Sequence, residues 1–274
     1  MYWELAKRTL QEFLKDDCMH MAAGIAYYAF FSLFPLLLGL IAVLGFLLEP
    51  AEVQDRLLAM ASQFLPGSAE IVTQNIRGVV ASRGAIGILS VVGFLWSATA
   101  VFAAIRRSLN RAWNLPKERP LLQQKLLELG MLAGVGLLFL LSVAATAFLR
   151  FAGHFLPLFA ESSPIWTVAL ALLPVTFSFA IFATVYRYLP NIKITWGDVW
   201  PGALLATVLF EISKNLFTWY LANFANYSLI YGSLAAVIAF LFWAFLSALI
   251  FLLGAEFTAE FTRLSGSHSK RPNP

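Results

Sequence analysis

The sequence predicts an all-α fold: a polytopic membrane helical bundle of six transmembrane helices, with an N-terminal interfacial helix and short amphipathic external helices. Three observations lead there. Of the 274 residues, 60% are hydrophobic and only 12% charged, whereas a soluble domain carries roughly a quarter of its residues as Asp, Glu, Lys and Arg. Six apolar windows, at residues 22–48, 84–105, 129–149, 162–186, 199–224 and 234–255, each reach or exceed the roughly 20 residues that a helix needs to cross hydrocarbon. These windows are continuous runs rich in Leu, Ala and Phe, whereas the strands of a membrane barrel alternate apolar and polar over about 10 residues.

The N-terminal stretch WELAKRTLQEFLKDDCMHMA mixes acids and bases and has no small-residue cleavage site behind a short apolar core, so it is not read as a cleavable signal. Trp3, Leu5, Leu10, Phe13 and Leu14 fall roughly on one helical face, as expected of a helix lying at the membrane interface or capping the bundle. Between the first two spans, residues 49–83 repeat apolar positions at helical spacing around a break at Pro66-Gly67. They read as two short amphipathic helices, serving either as a passive external cap or as a gating element. The segment from Asn114 to Pro120 is a short basic loop, and Pro190 ends the fourth span by removing a donor and restricting the residue before it. Residues 223–233 form a neutral polar turn with Gly232 suited to a tight bend. Residues 1–264 are expected to make one membrane domain, followed by a disordered tail at 265–274.

Basic residues set the orientation. Lys7, Arg8 and Lys15, then Arg106, Arg107, Arg111, Lys117, Arg119 and Lys125, then Arg187 and Lys193, and finally Arg263, Lys270 and Arg271 all fall on one side of the six windows. Arg56, Arg77, Arg83 and Arg150 fall on the other. The excess of Lys and Arg on cytoplasmic loops places both termini in the cytoplasm of a bacterial inner membrane. The net charge of +4 then reports topology, and nucleic-acid binding is not needed to explain it. Cys18 is the single cysteine, which excludes an intrachain disulfide and argues against a thiol metal cluster. No cofactor is expected.

Several long strings, AAGIAYYAFFSLFPLLLGLIAVLG, LWSATAVFAAIRRSLNRAWN, YRYLPN, the run from WGDVWPGALLATVLFEISKN to LAAVIAFLFW, and LLGAEFTAE, resemble the YihY family, also called the BrkB family. The likeness covers nearly every span, in order. It implies a bacterial inner-membrane protein of poorly defined molecular activity, from a family that has carried ribonuclease BN, virulence-factor and serum-resistance labels.

The residues argue against a nuclease. Metal-dependent RNA cleavage needs clustered histidines and carboxylates, and metal-independent cleavage needs a paired general acid and base. The three histidines, His20, His154 and His268, are far apart in sequence and assigned to different regions. Neither a nucleophile elbow nor a phosphate-binding glycine loop is present. The chain is therefore not expected to be an enzyme.

The polar residues of the fifth window raise a different possibility. At about 100° per residue, Thr207, Glu211, Lys214, Asn215 and Thr218 share one stripe, opposite Leu209, Ile212, Leu216 and Tyr220. Lipid is a poor neighbour for that stripe, so it should face the bundle interior or a hydrated cavity. Two readings stand side by side. Glu211 and Lys214 either neutralise each other structurally, with Asn215 and Thr218 bonding neighbouring helices, or they line a working path. Weaker candidates are Glu256 and Glu260, read as a solvated helix end or an ion site, and Arg106 with Arg107, read as snorkelling cations at the headgroups. Tyr27, Tyr28 and Ser32 are either packed aromatics or hydroxyls lining a cavity beside Pro35. Ala235, Ala236, Ala239, Ser247 and Ala248 fit close helix packing in the sixth window. The expected role is transporter-like or lipid-handling, with membrane lipids as partners and a lipid or small ion as possible cargo. A scaffold without cargo is the rival, and a ribonuclease the least favoured.

Overall fold

The computed structural model describes residues 2–47, 83–115, 119–155, 164–224 and 234–265. They form seven α-helices and no strand: α1 (Tyr2–Lys15), α2 (Cys18–Leu47), α3 (Arg83–Ala112), α4 (Leu121–Phe155), α5 (Pro164–Tyr188), α6 (Trp196–Phe224) and α7 (Leu234–Leu264). The helices from α2 to α7 follow the six apolar windows in order. By length and composition three stretches among the described residues suffice to cross a membrane, namely Leu121–Leu149, Leu170–Tyr188 and Leu234–Leu264. The expected external helices at 49–83, turn at 223–233 and tail at 265–274 lie almost wholly outside the described residues; Arg83 begins α3, and Asn223 and Phe224 continue α6 and are not part of a turn.

Helix boundaries follow local chemistry. Asp17 separates α1 from α2 by adopting φ 58°, a left-handed conformation that Asp tolerates because its short side chain bonds locally. Asn114 does the same at the end of α3, with φ 52°. The Leu115 amide there donates to the Asn110 carbonyl at 2.9 Å, which caps an otherwise orphaned acceptor. Pro190 follows the end of α5, as its missing donor requires. At the start of α6, Asp198 accepts from the Thr195 amide at 3.2 Å and from its hydroxyl at 2.6 Å, so the acidic residue satisfies a donor left free by the first turn.

The chain divides into two compact units. The first takes Met1–Ile25, Phe102–Ala225 and Phe245–Pro274. Within it α5 packs against both α4 and α6, and the core gathers around Leu109, Tyr186, Leu189, Val199, Ala203 and Leu252. Outside that core, Leu137, Phe139, Leu140 and Phe148 of α4 and Val208, Ile212 and Leu216 of α6 are exposed. Helices that present this much apolar surface are suited to a hydrocarbon solvent.

Helices α6 and α7 cross closely at Gly202 and Gly254. A Cβ on Gly202 would lie 2.5 Å from the Gly254 carbonyl oxygen, and a Cβ on Gly254 would lie 2.5 Å from the Tyr186 hydroxyl and 2.7 Å from Ala206 Cβ. The missing side chains let the backbones meet. Tyr186, fully buried, donates to the Phe251 carbonyl at 2.6 Å, which satisfies its hydroxyl inside the crossing.

The second unit takes Ala26–Val101 and Asn226–Ala244. Phe30 of α2 meets Phe240 of α7 with ring centroids 6.1 Å apart. Pro35 approaches α3 at Gly93, where an added Cβ would lie 3.8 Å from Pro35 Cβ.

Helix α1 departs from the single apolar face expected of it. Leu5, Thr9 and Phe13, spaced four apart, are buried, whereas Trp3, Leu10 and Leu14 are exposed. Two apolar stripes therefore run along one helix, and only the first packs on protein.

Candidate functional site

Thr207, Glu211 and Lys214 lie along α6 in the arrangement that helical spacing requires. Thr207 is buried and donates to the Ala203 carbonyl at 2.7 Å. The Lys214 ammonium donates to Glu211 Oε2, and Ser178 Oγ of α5 donates to Glu211 Oε1 at 3.0 Å. The carboxylate is thus held from two helices, by a cation one turn away and by a hydroxyl 33 positions earlier in the chain. Its side chain is 16% exposed, that of Lys214 40%. The pair therefore turns its anion towards α5 and its cation outward.

The rest of the stripe differs from expectation. Asn215 donates to the Glu211 carbonyl and Thr218 to the Lys214 carbonyl, both at 2.8 Å, and both residues are exposed. They bond their own helix and do not bridge to a neighbour. A carbonyl one turn back is the nearest acceptor for such a side chain, and Ser178 supplies the interhelical bond instead.

A second polar cluster joins α3 to α4. Arg106 is buried rather than snorkelling: its Nε donates to Glu128 Oε1 at 3.3 Å and a terminal nitrogen donates to Gln124 Oε1 at 2.7 Å. Lys125 reaches the other oxygen of Glu128 at 2.9 Å. Arg107, by contrast, is exposed and donates to the Ala103 carbonyl. Arg119 donates to the Pro190 carbonyl at 2.8 Å and Asn110 accepts from the Asn191 amide at 2.9 Å. Burial, and next the charge of Arg106, hold the Arg119 guanidinium below its usual range.

Glu256 and Glu260 do not form a solvated helix end. Both are buried, at 1% and 4% exposure. Glu260 pairs with Arg263, whose second terminal nitrogen donates to the Ala112 carbonyl at 2.9 Å. Glu256 accepts at Oε1 from the Cys18 thiol at 3.6 Å, across 238 positions of chain. Asp16 lies nearby with Arg111 Nε at 3.7 Å. Burial is the larger influence on Asp16 and raises its carboxyl above the usual range, against the pull of Arg111. Burial likewise pushes the Cys18 thiol up. Such a thiol is not poised as a nucleophile.

Tyr27 and Tyr28 are exposed, meet edge to face at 5.6 Å, and Tyr27 also packs on Phe31 at 4.6 Å. Ser32 donates to the Ala29 carbonyl of its own helix. They form an aromatic cluster in the second unit. His20 is exposed and bonds Asp17 at 2.6 Å, whereas the side chain of His154 and all of His268 lie outside the described residues. Among the described residues, no group of three or more His, Cys, Asp and Glu is arranged to hold a metal ion.

Sequence reasoning found Glu211 and Lys214 because charge stands out in an apolar run. It missed Ser178, Glu128, Cys18 as a partner, and the paired glycines, none of which carries a local signal of what it meets.

Comparison with known proteins agrees with the helical membrane architecture. The family described as "Virulence factor BrkB" matches residues 9–274. The chain is 29% identical over 260 residues to a protein named "UPF0761 membrane protein" in Chromohalobacter salexigens and 30% identical over 249 residues to its namesake in Alkalilimnicola ehrlichii. It covers 92% of its own length in the first match and 90% in the second, yet spans only 62% and 56% of those two relatives. It is also 30% identical over 264 residues to a Bacillus subtilis protein named ribonuclease-like protein YfkH, covering 92% of this chain and 93% of that one. No solved structure matches. The chain belongs to the BrkB family of membrane proteins.

Proposed function

We propose that this protein crosses the bacterial inner membrane six times with both termini in the cytoplasm, and that it acts there as a transporter-like or lipid-handling protein. The observation that carries this reading is the ion pair of Glu211 and Lys214 with Ser178. Ionisable groups in the middle of a membrane helix are costly and mark ion or substrate paths more often than they serve packing alone. Here the anion is held against α5 while the cation remains 40% exposed on its outer side, so Lys214 is accessible to a polar group arriving from outside the helix pair.

The six-span reading draws support from the order of α2 to α7 along the six apolar windows. The orientation rests on the basic residues, with Arg106, Lys125, Arg187 and Arg263 on the side assigned to the cytoplasm. The protein is not an enzyme in this reading: among the described residues, Glu211 has a cation and a hydroxyl for partners and no histidine or second carboxylate to share catalysis. One relative's name is ribonuclease-like, and among the described residues no group of His, Cys, Asp and Glu is arranged to hold a metal for that chemistry. The protein needs neither cofactor nor nucleic acid, and membrane lipids are its immediate partners.

Purified protein in liposomes, screened for flux of lipids and of small ions against protein-free liposomes, tests the proposal. Flux of at least one class above background is expected. Absence of any flux, with the protein shown to be inserted and folded, would favour a scaffold that uses the same pair as a fixed tie between α5 and α6.

A further inference from the structure

The corner where the start of α2 meets α7 holds a buried acid without a cation of its own. Glu256 is 1% exposed, and its one hydrogen bond is from the Cys18 thiol to Oε1. Oε2 is buried with no partner. The cations nearby are committed elsewhere: Arg263 pairs with Glu260 and donates to the Ala112 carbonyl, and Arg111 faces Asp16. Asp16 is itself buried, and its Oδ2 also has no partner.

A thiol is a weak donor. A carboxylate out of water with that donor alone is expensive, and the cheap remedy is to take up a proton. In the protonated acid the observed geometry makes sense, because Oε1 becomes the carbonyl oxygen that accepts from Cys18 and Oε2 becomes the hydroxyl. The groups that act on this acid are Cys18 from α2, Asp16 in the link before it, Glu12 from α1 and Arg263 from α7 itself, with Arg111 of α3 held on Asp16 and Glu260 on Arg263. Tyr186 of α5 reaches the neighbouring Gly254, with its hydroxyl donated to Phe251.

We propose that Glu256 is a proton-binding site: its carboxyl, buried with one oxygen on the Cys18 thiol and the other without a partner, holds an exchangeable proton at neutral pH. The step moves one proton between Oε2 and water and makes or breaks no other bond. It is independent of whether the chain carries cargo, and it lies at the end of α7 that follows the sixth apolar window.

The test uses the full chain in detergent and reads the infrared carbonyl band of a protonated carboxylic acid while pH is raised. A band present at neutral pH should vanish reversibly on alkaline titration and be missing from Glu256→Gln. Replacing Asp16 by Asn should move the titration to lower pH, because Glu256 would no longer ionise next to a second negative charge. Cys18→Ala keeps the acid and removes only the thiol donor, so it should shift the band without abolishing it; this variant decides the matter if Glu256→Gln fails to fold. The proposal fails if no band depends on Glu256, if the Cys18→Ala band is unmoved, or if the band responds to sodium concentration and not to pH, which would mark a cation site.

Discussion

The crossing of α6 and α7 offers the sharpest test of how this structure holds together. In Gly202→Ala the new Cβ would overlap Thr258 Oγ1 and lie 2.5 Å from the Gly254 carbonyl oxygen, whereas a carbon and a carbonyl oxygen rest at about 3.3 to 3.6 Å. Thr258 cannot turn aside without giving up its 2.8 Å bond to that same carbonyl, and the carbonyl belongs to the backbone. The helices must therefore part by roughly 1 Å, which forfeits a quarter to a half of the dispersion energy of each separated atom pair. Overpacking of this kind costs about 1 to 3 kcal/mol, and a site closed by backbone falls at the upper end. Replacing glycine by alanine inside a helix returns about 1 kcal/mol, leaving a net loss of about 2 kcal/mol. Gly134 of α4 supplies the control, because nothing lies within 4 Å of an added Cβ there, so Gly134→Ala should gain about 0.5 to 1 kcal/mol. Reversible unfolding in mixed detergent micelles measures both. A Gly202→Ala protein at least as stable as the parent would refute the close crossing.

Three further outcomes are expected. Arg106→Met leaves the buried Glu128 with only the exposed Lys125, and should cost about 3 to 5 kcal/mol in the same unfolding assay; a loss below about 1 kcal/mol would mean that the pair is not buried. Cysteine introduced at position 63 should react with an impermeant thiol reagent applied from outside the cell, and cysteine at position 117 should not; the reverse pattern would invert the orientation. Purified protein should not turn over RNA, since neither a metal cluster nor an acid-base pair is expected, and turnover abolished by a single substitution in this chain would overturn that.

The helices were legible because long apolar runs leave few alternatives, and Pro190 marked the end of α5, whereas α3, α4 and α7 run past their apolar windows into charged residues. Glu211 and Lys214 were legible as a pair because helical spacing alone brings them together. What held Glu211 from the other side was not, since Ser178 lies on a different helix and a serine in an apolar run is unremarkable. The paired acids at positions 256 and 260 misled for a related reason. Charges at a helix end are usually solvated, and the contact with Cys18 that buries Glu256 is long-range. Helix α1 misled through composition: when one apolar stripe packs on protein and another is exposed, Trp3, Leu10 and Leu14 cannot be told from Leu5 and Phe13 by hydrophobicity. The small residues that mattered most were Gly202 and Gly254, whereas Ala235, Ala236 and Ala239 stood out only by their number.

The most direct test of the proposed function is a four-variant comparison at the ion pair: the parent, Glu211→Gln, Lys214→Met and the double substitution, each assayed for unfolding in detergent and for flux in liposomes. Each single change strands the other charge and should lower stability, and the double change should recover most of that loss because no unpaired charge remains. The account predicts that the recovered double variant nevertheless fails to support flux, since Lys214 and Glu211 belong to the working path. A double variant that folds like the parent and transports like the parent would contradict it and leave the pair as a tie between α5 and α6.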